Sequence, residues 1–229
     1  MNDVPLPRGY EPHTFQSYLD ALYASLRFKH DDFRHYRLHW DRVSGWLMYK
    51  QAQWLFNQGN TKTLSGDIVE IGSAYGRSTV CLAWGVKLSG NGKIYGVDPH
   101  IGGKGFRESL GAKAQEYSSL DLFNANMRRF NLTDYVVPIV ATSEDAVKNW
   151  TNKNIRLIFI DGWHTYDAVK HDILAWSQYV KPGGIIALHD YQMEEIRQAI
   201  TDSLAQLGLT NDVIQHVDET MVYFHLPYA

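Results

Sequence analysis

The residues best suited to chemistry are acids and histidines that follow two apolar runs. The first run leads into Asp161 and then His164, and the second leads into His189 and Asp190. If both runs are parallel strands, their carboxyl ends meet at one edge of a sheet and bring the four side chains together. Two carboxylates are hard ligands for a divalent ion such as Mg²⁺, and an imidazole can accept a proton. The competing interpretation is that Asp161 only caps a helix and that His164 is a polar surface residue.

A second candidate site is the stretch Asp67-Ile-Val-Glu-Ile-Gly-Ser-Ala-Tyr-Gly-Arg-Ser-Thr79. Its β-branched start predicts a buried parallel strand, Gly72 and Gly76 bracket a turn, and a helix is expected from Arg77. A strand, a tight turn and a helix in this order present free backbone N–H groups and a positive helix end at the edge of a sheet. The stretch therefore predicts a site for a nucleotide-like cofactor.

The cofactor could be a dinucleotide or another adenosine-bearing molecule. The dinucleotide pattern G-x-G-x-x-G fails here, because Glu70 and Tyr75 occupy two of its glycine positions. A carboxylate at Glu70 would repel a pyrophosphate, but it suits a cofactor that carries an ammonium group and a sulfonium, which favours S-adenosylmethionine. Asp98, at the end of the next strand, is placed to accept hydrogen bonds from the ribose hydroxyls. Ser143 could line the adenine, although it or its neighbour could equally be a helix N-cap.

Strands and helices alternate from Asp67 onward, which predicts a parallel sheet with helices on both faces. We place strands at 67–71, 93–98, 135–140, 155–161 and 184–189, a helix near 192–207, and a closing hairpin of 212–217 and 220–226 that makes the last strand antiparallel. Lys181-Pro-Gly-Gly184 is expected to be a turn between helix and strand. Residues 1–64 are expected to form an irregular arm, a helix over 14–30 and an aromatic helical region over 31–58 with a break near Ser44-Gly45. The aromatic region either packs as core or roofs a substrate pocket, and residues 65–229 form the main domain.

From Asp67 to Leu226 the chain resembles the class I S-adenosylmethionine-dependent methyltransferases. The segment 69–76 is similar to their first motif, Asp98 to their ribose-binding acid, and the hairpin to their antiparallel seventh strand. The resemblance implies a Rossmann-like, doubly wound sheet of seven strands. It also implies that the methionine part of the cofactor is surrounded by Glu70, Gly72, Ser73, Tyr75, Gly76 and Ser78. Ser143 and Asp161 complete the expected cofactor-binding residues.

Methyl transfer to a hydroxyl requires activation of a weak nucleophile, by a base or by a metal ion that lowers the hydroxyl's pKa. Asp161 and Asp190 could hold Mg²⁺ or a similar ion while His164 takes the proton. Asp161-Gly-Trp-His164 and Lys181 to Asp190 are similar to the metal-dependent sugar and natural-product O-methyltransferases, which implies the same roles. This chain departs from catechol-type relatives by having His189-Asp190 where they have Asp-Asn. The alternatives are a metal-independent methyltransferase and a non-catalytic cofactor-binding module.

Composition limits the classes of molecule that the chain is expected to bind. The 229 residues are 45% hydrophobic with a formal net charge of −3, so we expect no nucleic-acid partner. The single cysteine, Cys81, and the absence of a signal peptide or apolar span suggest a soluble cytoplasmic protein. The acceptor is expected to be a small molecule, most simply a sugar or glycosylated metabolite. A homodimer through aromatics of the segment 33–56 is possible, and Lys104, Arg107 and Lys113 in the long loop 99–116 either select an acidic acceptor or are solvated.

Overall fold

The computed structural model describes residue 19, residues 22–23, residues 26–103 and residues 117–228. The three loop cations at 104, 107 and 113, and most of the helix expected over 14–30, lie outside these described residues. No helix within them is both long enough and apolar enough to cross a bilayer.

Strands and helices alternate through the described chain. The strands are β1 (Asp67–Ile71), β2 (Ile94–Val97), β3 (Val136–Ile139), β4 (Ile155–Ile160), β5 (Val180–Leu188), β6 (Gln215–His216) and β7 (Val222–His225). The α-helices are α1 (Arg37–Trp40), α2 (Tyr49–Gly59), α3 (Arg77–Ser89), α4 (Leu120–Arg129), α5 (Ser143–Lys148), α6 (Tyr166–Ser177) and α7 (Glu194–Gln206), with 3₁₀ turns at Phe33–Tyr36 and Asn211–Val213.

The strands form one sheet of seven in the order β3-β2-β1-β4-β5-β7-β6. The pairs from β3 to β5 are parallel, and β7 is antiparallel to both β5 and β6. The chain runs outward from β1 to β3 and then returns to the other side of β1 with β4, so the strand order reverses between β1 and β4. The predicted seven-stranded, doubly wound sheet with an antiparallel last strand is confirmed. Ligands bind at such a switch point, beyond the carboxyl ends of the strands.

Each face of the sheet carries its own apolar core. Side chains alternate along a strand, so Ile68 of β1 lies in the core shared with α2 and α3, while Val69 and Ile71 lie in the core shared with α6 and α7. All six residues of β4 are buried. Five of these six are apolar, which is the pattern of a strand buried on both faces. The sixth, Arg156, is also buried, and its guanidinium donates to the backbone carbonyls of Gly66, Gln58 and Gly59.

The helical region predicted over 31–58 is interrupted, and the interruption includes the expected position near Ser44-Gly45. Residues 41–48 leave the helical conformation between α1 and α2. Arg77, at the start of α3, explains the break: its guanidinium lies 3.9 Å above the Trp40 ring and donates to the Val43 carbonyl. Gly45 lies against the same side chain, since a Cβ on it would be 3.0 Å from Arg77 Cβ. The aromatic segment is therefore attached to the helix that follows the glycine turn, and Phe33 and Phe56 are buried in the same core as Ile68.

The expected turn at Lys181-Pro-Gly-Gly184 is wrong. These residues lie inside β5, where the pairing with β4 jumps from Ile155 opposite Val180 to Leu157 opposite Ile185. The extra residues form an irregularity rather than a loop, and Gly183 permits it with a φ of +74°. The strand therefore begins four residues earlier than the sequence pattern predicts.

Candidate active site

The glycine turn brings β1 into backbone contact with the loop after β4. Gly72 has a φ of +92°, and a Cβ on it would lie 2.1 Å from the carbonyl oxygen of Asp161. The Asp161 N–H donates to the Ile71 carbonyl at 2.8 Å. Only glycine fits so close an approach at a positive φ. The predicted cofactor turn and the predicted catalytic acid are thus direct neighbours.

Glu70 is a buried carboxylate with too few partners. Its side chain is fully buried and accepts a hydrogen bond from the Thr79 hydroxyl, while Oε1 meets no donor of suitable geometry in the described chain. Burial raises the pKa of Glu70 to about 7, against the opposing effect of the Ser78 and Thr79 hydroxyls. Among the described residues no cation acts on this group, and an ammonium or sulfonium at the turn would supply one.

Asp98 closes the other side of the turn. Its Oδ2 accepts from the Ala74 N–H at 2.8 Å and its Oδ1 from the His100 N–H at 2.6 Å. Tyr75 is held on the same turn, because its carbonyl accepts from the Asn126 amide at 2.8 Å. The predicted ribose acid therefore lies directly beside the glycine turn. Among the remaining predicted cofactor residues, Ser73, Gly76 and Ser78 also belong to this turn and the start of α3.

Ser143 lies at the start of α5 with its hydroxyl already engaged. It donates to Asp172 Oδ1 at 2.5 Å and accepts from the Trp176 indole N–H at 2.8 Å. The N-cap is its neighbour Thr142, whose hydroxyl accepts from the Asp145 N–H. Burial raises the pKa of Asp172 to about 6, so the carboxylate beneath Ser143 is a second buried acid without a cation. Ser143 follows β3 closely and so lies near the edge of the sheet where the cofactor is expected. A contact between Ser143 and the adenine stays a prediction.

The four acids and histidines predicted to converge do so. His164 Nε2 lies 2.9 Å from Asp190 Oδ2 and 3.8 Å from Asp161 Oδ1. His189 Nδ1 lies 3.1 Å from the same Asp190 oxygen and 3.4 Å from Asp161 Oδ1. One ligand atom each from Asp161, His164 and Asp190 falls within 4.8 Å of the others. Asp190 follows β5 with a φ of +57°, which turns its carboxylate back toward the cluster.

Charge within the cluster is shared between acids and imidazoles. The neighbouring carboxylates of Asp161 and Asp190 raise the pKa of His164 to about 10. Burial acts against ionisation of Asp190, but the imidazoles of His164 and His189 beside it hold its pKa well below the usual range. His164 therefore keeps a proton at neutral pH while both carboxylates face it. It can act as a base only where another cation offsets their charge.

Gln51 and Asp218 belong to the site and were not predicted. Gln51, on α2, is fully buried, and its amide oxygen lies 3.1 Å from His189 Nε2. Its amide nitrogen donates to Asp218 Oδ1 at 3.1 Å and to Thr220 Oγ1 at 2.7 Å. The signal in the sequence was a polar residue beside Ala52 on the apolar face of an aromatic helix. Its partners come from a loop more than 160 residues away, which the sequence pattern does not reveal.

An open cleft of about 940 Å³ lies beside the cluster. It is reached from Tyr191 and Gln192, directly after Asp190, and includes Asp218 on its wall. The remaining lining residues are one apolar side chain, two cations, a histidine, one acid and one hydroxyl residue: Met48, Lys50, Arg197, His216, Glu219 and Thr220. The cleft therefore presents both apolar surface and charged groups to a ligand.

Comparison with known proteins agrees with this geometry. A family model described as a methyltransferase domain matches residues 69–191, from β1 to the residue after Asp190. The fold is similar to that of the O-methyltransferase NovP, with a TM-score of 0.67 and 16% identity over 78% of this chain and 80% of that chain. It is also similar to a SAM-dependent O-methyltransferase from Thermotoga maritima, with a TM-score of 0.57 and 15% identity over 83% of this chain and 71% of that one.

The sequence is also similar to the uncharacterized protein R132 of Acanthamoeba polyphaga mimivirus, 27% identical over 124 residues. That match spans 54% of this chain and about half, 51%, of the relative. The chain belongs to the family of methyltransferase domains whose model it matches. The predicted class, S-adenosylmethionine-dependent methyltransferases, is thereby confirmed at the level of family and fold, and the metal-dependent branch stays a prediction.

Proposed function

We propose that this chain is an O-methyltransferase that moves a methyl group from S-adenosylmethionine to a hydroxyl of a small molecule, most simply a sugar or glycosylated metabolite. One observation carries the proposal: the turn with the cation-deficient Glu70 and the loop with Asp161 touch at Gly72. Cofactor and acceptor sites are therefore adjacent, as direct transfer between two bound molecules requires.

The residues at the turn fit S-adenosylmethionine, which when bound supplies an activated methyl group. The unpartnered Glu70 Oε1 and the unpartnered Ser73 hydroxyl, both buried in the described chain, are the polar atoms available to its ammonium group. Gly72, Gly76 and the start of α3 allow its close approach. Asp98 would accept from its ribose hydroxyls, and Tyr75, Ser78, Ser143 and Asp161 complete the proposed set.

The donor set of the cluster fits a divalent ion such as Mg²⁺. Asp161 and Asp190 offer carboxylate oxygens, and the ligand atoms of the cluster are close enough to share one ion. Such an ion would lower the pKa of an acceptor hydroxyl and offset the charge of the two carboxylates. We therefore assign Asp161 and Asp190 as its ligands.

His164 is the proposed general base. Its Nε2 faces the two acids, and its side chain is 43% exposed, so an acceptor hydroxyl would give its proton to the other ring nitrogen, Nδ1. With the carboxylate charge offset, the imidazole releases its proton near neutral pH and can take one from the acceptor. Asp190, at 2.9 Å, then orients the ring and stabilises the imidazolium that forms.

The 2.9 Å pair of His164 and Asp190 also supports a second candidate, a methyltransferase that needs no metal ion. In that case the carboxylate and imidazole act as a pair, and the alkaline pKa of His164 predicts turnover that rises above neutral pH. A non-catalytic cofactor-binding module is a third candidate. It predicts that substitution of His164 leaves cofactor binding unchanged, because there is no methyl transfer to lose.

The test is transfer of a labelled methyl group from S-adenosylmethionine to a panel of hydroxylated small molecules, sugars and glycosides among them. We expect labelled product that disappears after exhaustive chelation and returns with a divalent ion. Turnover that survives chelation would select the metal-independent form. Cofactor binding without any product across the panel, and without loss in a His164→Ala variant, would select the binding module.

A further inference from the structure

His189 belongs to the cluster, but the proposed methyl transfer assigns it neither metal binding nor proton transfer. We propose that His189 Nδ1 is a nitrogen ligand of the divalent ion, so that this centre prefers transition metals such as Mn²⁺, Co²⁺ or Zn²⁺ over Mg²⁺ more strongly than an all-oxygen site would. The inference deepens the proposed function and rests on its metal-dependent form.

The first step is the orientation of the Gln51 amide. Its oxygen accepts from the Met48 N–H at 2.8 Å, and a backbone N–H can only donate. Its nitrogen faces Asp218 Oδ1 at 3.1 Å, and this carboxylate oxygen already accepts from Thr220 and Met221 N–H groups. An amide turned the other way would place a donor against a donor and an acceptor against an acceptor. The oxygen of Gln51 must therefore be the atom that faces His189.

The second step is the tautomer of His189. Because Gln51 Oε1 is an acceptor, the Nε2 atom of His189 at 3.1 Å must carry a hydrogen. A neutral imidazole carries only one ring hydrogen, so its Nδ1 presents a lone pair. Metal-binding histidines are held in the same way, with the far ring nitrogen donating to a fixed oxygen that sets the tautomer and the ring orientation.

The third step is where that lone pair points. The His189 side chain is 9% exposed, and Nδ1 has no hydrogen-bond partner of acceptable geometry in the described chain. It nevertheless lies 3.1 Å from Asp190 Oδ2 and 3.4 Å from Asp161 Oδ1. A lone pair at this position is repelled by the two carboxylate oxygens unless a proton or a metal cation lies among the three atoms. The arrangement is that of three ligands converging on one ion.

The fourth step is the choice of ion. Mg²⁺ prefers oxygen ligands and keeps much of its water, whereas an imidazole nitrogen suits Zn²⁺, Co²⁺ and other first-row transition ions. Replacing one oxygen ligand by nitrogen therefore shifts selectivity toward those ions. The residue that makes the difference is His189, which is held in place by a helix of the aromatic segment.

The experiment measures binding of metal ions alone to the metal-free full chain, without cofactor or acceptor. Titration calorimetry with Mg²⁺, Mn²⁺ and Co²⁺ gives the ratio of Mg²⁺ to Co²⁺ dissociation constants, which we expect to fall at least tenfold in His189→Asp. Pulsed EPR of bound Mn²⁺ should show a histidine nitrogen coupling in the wild type that His189→Asp loses. His164→Gln is the matched control and should keep that coupling.

A Gln51→Met variant tests the tautomer argument. It keeps the length of the side chain but removes the acceptor, so we expect metal affinity to fall by about ten- to a hundredfold, as loss of an outer partner of a metal-binding histidine does. Gln198→Met is the matched control, because Gln198 is an exposed glutamine of α7 that donates to Asp202 and has no contact with His189 among those described. Its metal affinity should be unchanged.

The outcomes separate this inference from the proposed function. Wild-type Mn²⁺ spectra without nitrogen coupling, or an unchanged selectivity ratio in His189→Asp, would overturn the nitrogen ligand even if methyl transfer is observed. Should His189→Asp fail to fold, the His164→Gln variant with ¹⁵N-labelled histidine gives the answer, because a histidine coupling that persists and shifts with the isotope leaves His189 as its source in the cluster. Nitrogen coupling that is present in a chain without transferase activity would instead overturn the proposed function and leave the metal ligand standing.

Discussion

The two halves of the site handle buried charge in opposite ways. At the glycine turn, Glu70 is buried with hydroxyl partners only, and its pKa rises to about 7. At the ends of β4 and β5, Asp190 is partly buried with two imidazoles, and its pKa lies well below the usual range. Both are carboxylates at the carboxyl ends of parallel strands, so strand position does not set their charge. The neighbouring side chains do.

We propose that the difference reflects what each half binds. Among the described residues the turn has no cation, and a cofactor that carries one would complete it. The second half contains its own cation, the protonated His164, and would therefore exchange a proton with an acceptor. Substitutions in one half should therefore leave the other half unchanged, except where the two halves are in contact.

His164→Ala is expected to affect only the second half. Loss of a general base lowers kcat by about 10² to 10⁴-fold. Affinity for S-adenosylmethionine should stay within about twofold, since His164 lies outside the turn. Steady-state kinetics and calorimetry measure the two quantities, and His171→Ala, at an exposed histidine of α6, is the control. A parallel loss of cofactor binding would contradict the division into halves.

Gly72→Ala is expected to damage both halves together. The new Cβ would collide with the Asp161 carbonyl at 2.1 Å and would also occupy a φ of +92°, so we expect a loss of about 3 kcal/mol of stability together with weaker cofactor binding and slower turnover. Gly208→Ala is a matched control, because its φ is +74° but nothing lies within 4 Å of the new atom. It should cost about 1 kcal/mol by conformation alone. Equal losses in urea unfolding would show that the Asp161 contact does not matter.

Glu70→Gln is expected to affect only the turn. The substitution removes the charge that faces the cofactor's ammonium group, so affinity for S-adenosylmethionine should fall by about 10- to 100-fold. Free protein should become more stable above pH 7, because the buried group no longer has to ionise. Calorimetry and thermal unfolding at pH 8 give the two numbers, with the exposed Glu144→Gln as control. Unchanged affinity would remove Glu70 from the cofactor site.

Asp172 extends the comparison to a buried acid outside both halves. Its pKa rises from 3.8 to about 6, so the folded chain holds a proton that the unfolded chain has lost between these pH values. The free energy of unfolding should therefore fall as pH rises through this window and level off above pH 6. Asp172→Asn should be more stable than the wild type by about 1 to 2 kcal/mol at pH 7, and the difference should vanish near pH 4. Urea unfolding across this range checks the sign.

The sheet could be predicted because its central strands are short, mostly apolar segments that can be recognised from the local sequence. β1 and β4 are each rich in Ile, Val, Leu and Phe despite one or two charged residues, and each is followed by the glycine turn or by an acid. The convergence of Asp161, His164 and Asp190 follows from that topology alone, since parallel strands end at one edge. Their pairwise distances do not follow, because they depend on the left-handed turn at Asp190.

The failures share one physical cause, which is contact between distant segments. The expected turn before β5 is instead a pairing irregularity imposed by β4. Gln51 was overlooked because its partners, His189 and Asp218, lie far away in the sequence.

The glycines at the crossing of α2 and α3 have a mechanical consequence. A Cβ on Gly59 would lie 2.3 Å from the Leu82 carbonyl oxygen, and one on Gly85 would lie 2.3 Å from that of Phe56, so the two helix backbones are in contact at the end of α2. Gln51 lies near the other end of α2, about 12 Å from Gly59 at 1.5 Å per residue. A tilt of about 5° at the crossing would move Gln51 by about 1 Å, enough to break its bond to His189. The stiffness of one helix crossing thus sets the precision with which the centre is aligned.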